Sequence, residues 1–351
     1  MTQIIIPIAN QKAYYSIPRN RQLQHTIRNH CDKPARSLVI DWKGDCFVCS
    51  CEAWLPIPVG HIMQFERLED IWSSPVAQKL QQTITDRTYA ECAVDRCGIL
   101  DGDILQPHYT VSINIDESCN LACPSCRAEP VMISSGADYE SKLTWSRHIV
   151  RLLETTDLPV WIIMSGNGDP LASAIMRPLL HQYQPGINQK IRLYTNGLLL
   201  EKQLSKNSIA DHIFEYFISI DAGSPEVYER VRLGGSWRQL IKNFDFLKSV
   251  AEQNQAQVLL LFVLQQDNYQ DMENFILLCQ QYGFNGWINR VEDWGTWGNQ
   301  FSDHDPVGNP DHSLHAETLR NLRDVYRRYG SKQIRFESSL ERLAKETNQA
   351  N

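Results

Sequence analysis

The 351-residue sequence has no apolar run approaching the ~20 residues that a membrane-spanning helix requires. Its opening, Met1-Thr2-Gln3-Ile4-Ile5-Ile6-Pro7, lacks the basic start and long apolar stretch of a secretion signal. These two absences argue against membrane insertion and against export. Positive charge is not in excess either. A net charge of -7 disfavours a broad surface for nucleic acid or anionic lipid. No internal repeat or low-complexity linker stands out, and beyond residue 126 there is one cysteine, Cys279. Apolar and charged fractions are ordinary for a globular protein, and the length has room for two domains of roughly 100–200 residues.

What the sequence does have is cysteine in groups. Nine of its 10 cysteines fall within the first 126 residues. Without an export signal, grouped cysteines point to metal binding rather than disulfides. Oxygen-labile thiolate clusters need a reducing compartment, so the cytoplasm is expected. The tightest group is Cys119, Cys123 and Cys126, a C-x₃-C-x₂-C loop directly after the extended run 109–116. Thiolates are the soft ligands that iron–sulfur clusters take, and three of them leave one iron of a cubane open. The spacing also permits a zinc site, or a ferredoxin-type cluster completed by another cysteine.

From His108 onward, strand and helix patterns alternate, which predicts a parallel α/β fold. Strands are expected at 109–116, 159–165, 189–195, 213–221, 257–265 and 286–291. Helices are expected at 139–156, 171–184, 236–253 and 269–282, with a helical C-terminal region over 313–345. In such folds binding groups gather on loops beyond the carboxyl ends of the strands. Those loops carry Ser165-Gly166-Asn167-Gly168-Asp169-Pro170, Tyr194-Thr195-Asn196-Gly197, and Ser219-Ile220-Asp221 followed by Arg230-Val231-Arg232. Cys279, in an apolar helical phrase, reads as a buried core thiol. Arg290–Gly298, with two tryptophans and two acids, suits either a cavity wall or ordinary aromatic packing. His304, His312 and His315 are scattered in a polar region and read as solvated.

The cysteine triplet and these loops, in this order, resemble the radical SAM superfamily. The resemblance spans roughly residues 109–291 and implies a partial (β/α)₆ TIM-like barrel. It further implies that Cys119, Cys123 and Cys126 hold a [4Fe-4S] cluster whose open iron binds S-adenosylmethionine. Gly166, Asn167, Gly168 and Asp169 resemble the G-G-E-P element, with Asn167 inserted and Asp169 in place of Glu; the acid would hold the methionine ammonium. Asn196 belongs to a T-N-G phrase. Ser219 and Asp221 would face ribose and methionine, and Arg232 would fork onto the carboxylate, with Arg230 as its rival. Ser125 stands where an aromatic residue is frequent, so adenine contacts would come from elsewhere, such as the backbone near Ser125 and Val263-Leu264.

Residues 1–107 have a resemblance of their own. Ser37–Asp41 and Cys46–Cys49 read as a hairpin around Lys43-Gly44-Asp45, and short helices are expected at 68–72 and after the N-cap Ser74. Cys31, Gly44 and Cys49 form C-x₁₂-G-x₄-C, followed by Gly60-His61-Ile62, Leu68–Trp72, Cys92 and Cys97. This resembles the SPASM and twitch domains, which ordinarily follow the radical SAM core. Cys31, Cys49, Cys92 and Cys97 would then hold a second [4Fe-4S] cluster. Cys51 is the rival to Cys49 because strand alternation puts both on one face, while Cys46 points away. A zinc ribbon built on Cys46 and Cys49 is the alternative.

The expected organisation is an auxiliary-cluster domain at 1–107, a radical SAM core at 108–300 and a C-terminal extension at 301–351. The expected activity is reductive cleavage of S-adenosylmethionine and hydrogen abstraction from a peptide or protein side chain. The alternatives are a dehydrogenase or epimerase of a small carbohydrate-like or amino-acid-like molecule, and a non-catalytic iron–sulfur or zinc protein. A reducing partner such as flavodoxin or ferredoxin is implied, and no nucleic acid or membrane partner.

Overall fold

The computed structural model describes residues 26–49, 55–94, 97–165, 167–293 and 295–346. These form two compact units, each assembled from several stretches of chain. One comprises Met1–Ser118, Met132–Arg192 and Asn207–His212; the other comprises Cys119–Val131, Leu193–Lys206 and Ile213–Asn351.

The first unit is built on β1 (Ser37–Ile40), β2 (Asp45–Phe47), β3 (Gly60–His61), β4 (Tyr109–Ile113) and β5 (Val160–Met164). Their order is β5-β4-β1-β2-β3. The expected hairpin forms, with Val39 opposite Phe47 and Ile40 opposite Cys46. It turns at Gly44, whose φ of +80° suits glycine. β1 also pairs in parallel with β4, Ser37 beside Thr110 and Ile40 beside Ile113. Flanked on both sides, β1 is buried along its whole length. Trp72 closes this layer, its indole N–H donating to the Ser37 carbonyl at 3.0 Å. The helix Pro75–Thr85 starts as anticipated, Ser74 Oγ accepting from the Ala77 N–H.

β6 (Lys190–Thr195) divides between the two units. The second unit continues with β7 (Ile213–Ser219), β8 (Gln257–Leu264), β9 (Asn285–Arg290) and β10 (Ile334–Phe336). β7 to β10 are neighbours in sequence order, all parallel. β8 alternates strictly: Val258, Leu260, Phe262 and Leu264 are buried, and the residues between them are more open. The buried set meets the helix Met272–Tyr282, where Phe262 and Phe275 stand 5.1 Å apart. Cys279 is fully buried on that helix, as expected of a core thiol.

The α/β alternation from residue 109 onward is present, and the sheet is mostly parallel. No pairing among the described residues closes the strands, so the sheet is not a closed ring. One expectation needs correction. The region 313–345 is not wholly helical: β10 separates the helices His315–Tyr329 and Ser338–Lys345. Its three residues alternate buried, exposed, buried, a run too short to announce a strand, and pairing with the edge of β9 makes them one.

Gly223 marks a contact that tolerates no side chain, because a Cβ there would lie 1.9 Å from the Phe275 backbone nitrogen. Gly223→Ala should destabilise the protein by about 1–3 kcal/mol through overpacking. Gly102→Ala, with nothing within 4 Å of the new methyl group, should be neutral or slightly stabilising. Thermal unfolding of both variants checks this, and equal melting temperatures would remove the packing argument.

Candidate metal centres

In the second unit Cys119, Cys123 and Cys126 lie on a loop fixed at several points. The Cys119 N–H donates to the Val131 carbonyl at 2.7 Å, and the Ala122 N–H to Leu233 at 3.0 Å. The Cys126 N–H donates to the Cys123 carbonyl at 2.8 Å, closing the turn that brings the last two cysteines together. Polar groups face the sulfurs. Arg232 Nη1 stands 3.5 Å from Cys123 Sγ, and Asn196 Nδ2 stands 3.9 Å from Cys119 Sγ. Arg127 hydrogen-bonds Cys126. This donor set suits thiolates rather than thiols. Burial pushes the Cys123 thiol up, and Arg232 opposes that push.

Arg232 is itself held. Its Nη2 lies 2.6 Å from Asp221 Oδ2, and both side chains are almost wholly buried. Burial disfavours the guanidinium, but Asp221 and Cys123 outweigh it and hold it firmly charged. Asp221 adopts φ +54°, and the Ile220 and Asp221 N–H groups both donate to the Leu261 carbonyl at 3.1 Å. This bulge ends β7 and turns the carboxylate to accept from the Val263 N–H at 2.8 Å as well. Ser219, the last residue of β7, is half-buried. Arg230 is exposed and donates to the Asp267 carbonyl at 2.7 Å. Of the two rival arginines, Arg232 is the one beside a cluster cysteine.

The Thr-Asn-Gly loop stands beside the same cysteines. Asn196 Nδ2 donates to Asn120 Oδ1 at 2.9 Å, and its own Oδ1 accepts from Leu198. Asn196 therefore braces the cysteine loop. Gly197 takes φ +82°, where a Cβ would strike Ile218 at 2.8 Å.

In the first unit the loop after β5 is threaded onto the segment after β4. The Asn167 N–H donates to Asp116 O at 3.0 Å and the Asp169 N–H to Ser118 O at 2.8 Å. A Cβ on Gly168 would lie 2.2 Å from the Ser118 carbonyl, so only glycine fits. Asp169 is buried, and one of its oxygens accepts from the Leu171 N–H at 2.9 Å. Gly166 lies outside the described residues, as do Cys51 and Trp294.

The first unit also gathers Cys31, Cys49, Cys92 and Cys97 around one cavity, otherwise walled by Leu55, Ile84, Val94, Ile99 and Ile104. Three of these cysteines pack on a small apolar core of their own, with Ile27 and Tyr89 among its members. Cys46 is fully buried and does not line the cavity. Among the described residues, no three His, Cys, Asp or Glu side chains are gathered closely enough to hold a single metal ion. Four cysteines on one cavity are the donor number and type that a closed four-thiolate iron–sulfur cluster takes. Burial pushes the Cys31 thiol up to about 12, so without metal it is neutral, and binding metal would expel its proton.

Sequence reasoning missed two neighbours of the cysteines: Arg127, immediately after Cys126, and Lys33, two residues after Cys31 and 6% exposed. A basic residue adjoining a ligand cysteine was the available signal. The histidines read as solvated are half-buried structural groups instead. His312 bonds the Asp303 carbonyl at 2.8 Å, and His304 stacks on Trp297 at 4.2 Å. The polar loop around Asp305 is pinned by Arg290, 2.5 Å from its carboxylate.

Residues 31–98 match the SPASM family model, an iron–sulfur cluster-binding domain. An AdoMet-dependent heme synthase of Oleidesulfovibrio alaskensis is 26% identical over 179 residues, 50% of this chain and 44% of that protein. The mycofactocin maturase MftC of Mycobacterium tuberculosis H37Rv is 23% identical over 190 residues, 54% of this chain and 46% of the other. The chain thus spans about half the length of the curated relatives it matches. Among solved structures, Streptococcus suis SuiB bound to its precursor peptide SuiA superposes with TM-score 0.42. That match has 13% identity and covers 77% of this chain and 55% of SuiB.

The buried pair changes what Asp221 is expected to do. Asp221→Ala should cost about 3–5 kcal/mol, because it strands the Arg232 charge and the Val263 N–H. Asp221→Asn, which keeps an acceptor for Val263, should cost less. Urea unfolding of the metal-free protein measures both. A fully stable Asp221→Ala variant would mean that the pair is not structural.

Proposed function

We propose that this chain is a radical SAM enzyme whose auxiliary iron–sulfur segment precedes its core. The observation that carries the reading is the Cys119–Cys126 loop, gathered with Arg232, Asn196 and Arg127 at its sulfurs. The SPASM match over 31–98 and the relationship to an AdoMet-dependent heme synthase support it. Residues 1–107 are the auxiliary domain, 108–300 the core, a partial (β/α)₆ barrel in the family's manner, and 301–351 an extension.

A [4Fe-4S] cluster bound there would supply the one electron that cleaves S-adenosylmethionine to methionine and a 5′-deoxyadenosyl radical, which would take a hydrogen atom from substrate to become 5′-deoxyadenosine. Cys119, Cys123 and Cys126 would hold that cluster. Arg232 would face its sulfur shell from the anchored end of the β7 loop, and Asn196 would keep the cysteine loop in place. The tight backbone at Gly168, with Gly166, Asn167 and Asp169, would present carbonyls and an acid to the methionine ammonium. Ser219 would present its hydroxyl to the cofactor's ribose. Asp221 orients Arg232 and reaches the cofactor through it. Cys31, Cys49, Cys92 and Cys97 would hold the second cluster as a closed Cys₄ set.

The substrate is a peptide or protein side chain, a reading supported by the auxiliary cluster and by the maturases among the relatives. The electron comes from a low-potential donor of the flavodoxin or ferredoxin kind. A small carbohydrate-like or amino-acid-like substrate is the second reading; the heme synthase relative, by its name, does not act as a peptide maturase.

Anaerobically reconstituted protein should convert S-adenosylmethionine to 5′-deoxyadenosine under reducing conditions. The variant with Cys119, Cys123 and Cys126 all changed to Ala should make none, while keeping about four irons, one cubane's worth. Chromatography of the nucleoside product and iron analysis read the two outcomes. Continued cleavage by the triple variant would overturn the assignment of the core cluster.

A further inference from the structure

Lys33 is a lysine where lysines are seldom found. It is 6% exposed, and it lines the cavity that Cys31, Cys49, Cys92 and Cys97 share. The residue before it is anchored: the Asp32 N–H donates to Ile104 O at 3.0 Å, and its carbonyl and Oδ2 accept from the Ala35 and Gln106 N–H groups, each at 2.9 Å. Lys33 opens the helical turn Lys33–Arg36, and its own carbonyl accepts from the Ser37 N–H. Lys33 is thus part of the cavity wall, and the rest of that wall is mainly apolar.

We propose that the Lys33 ammonium sets the reduction potential of the auxiliary cluster, raising it so that the cluster accepts electrons readily. This rests on the reading of the four cysteines as cluster ligands. Each electron taken from a low-potential one-electron donor makes a four-thiolate cluster one unit more negative. A fixed cation in a water-poor wall favours the more negative state. Net charge and hydrogen bonds to sulfur are the usual controls of such potentials, and both are present here. The Lys33 N–H faces Cys31, and the Ile99 N–H lies 3.4 Å from Cys97 Sγ.

The test is a potentiometric titration of the auxiliary cluster, followed by electron paramagnetic resonance. It uses the full chain with Cys119, Cys123 and Cys126 replaced by Ala, so that one cluster reports. Lys33→Met should hold about tenfold less reduced cluster at a fixed potential, a midpoint lower by about 59 mV for one electron. Lys33→Arg should stay close to the parent. An unchanged midpoint in Lys33→Met loaded with about four irons overturns the proposal. So does a Lys33→Arg midpoint lowered as far as that of the neutral variant, since shape rather than charge would then be responsible. If Lys33→Met takes up no iron, Lys33→Gln replaces it under the same criterion. Absence of iron with Lys33 intact would overturn the cluster reading together with this one, and metal analysis tells that failure from the other.

Discussion

A buried sulfur that must carry negative charge needs positive charge or hydrogen-bond donors at hand, and each unit answers that constraint separately. Removing a thiolate from water raises the cost of its charge, as the upward push on Cys31 and Cys123 shows. In the second unit the answer is a guanidinium, Arg232, with Arg127 and the Asn196 amide beside it. In the first the Ile99 N–H donates to Cys97, and the proposed counterpart of the guanidinium is Lys33, which lines the same cavity. The difference suits the two expected roles. Arg232 is clamped by Asp221, so its position is fixed, as a site that orients a cofactor requires. A lysine delivers a point charge without directional bonds, which is enough to bias an electron-transfer centre.

The clamp explains much of the local backbone. Asp221 reaches Arg232 only because β7 ends in a bulge with a left-handed residue, a conformation that aspartate tolerates better than most side chains. Asn268 then ties that bulge down, its Nδ2 donating to Asp221 O at 2.9 Å and Val263 O at 2.8 Å. Asp271 accepts from the Gly223 and Ser224 N–H groups, fixing the start of the helix Pro225–Val231 that leads to Arg232. One ion pair is thus supported by two turns, and Gly223 is where they press closest to the helix beneath.

Legibility from the sequence followed the range of the forces involved. The six strands from 109 to 291 and three of the four helices expected there were readable because periodic burial writes itself into neighbouring residues; over 171–184 only Arg177–His181 is helical. The Cys119–Cys126 loop was readable because its three cysteines lie within eight consecutive residues. β10 was not, since three residues become a strand only through β9. The parallel pairing of β1 with β4 joins residues about seventy apart, and no local pattern announces it. Site residues divided in the same way. Glycines 168 and 197 stand in tight loops, as their motifs suggested. Asp221, read as a cofactor contact, also binds Arg232 and Val263, which its motif did not announce. A motif names a residue but not its partner.

The partner matters to the chemistry. Had Arg232 been free, it could turn toward a carboxylate and away again, and its charge at Cys123 would vary. Paired at 2.6 Å in a buried setting, it presents one edge to Asp221 and the other to the sulfur. A guanidinium so held cannot follow a ligand without breaking an ion pair whose disruption costs several kcal/mol. Any cofactor carboxylate it meets must therefore come to a preset direction. Its Nε is buried and has no hydrogen-bond partner among the described residues. A guanidinium fixed on two sides is preorganised, so less freedom is lost when a ligand meets it.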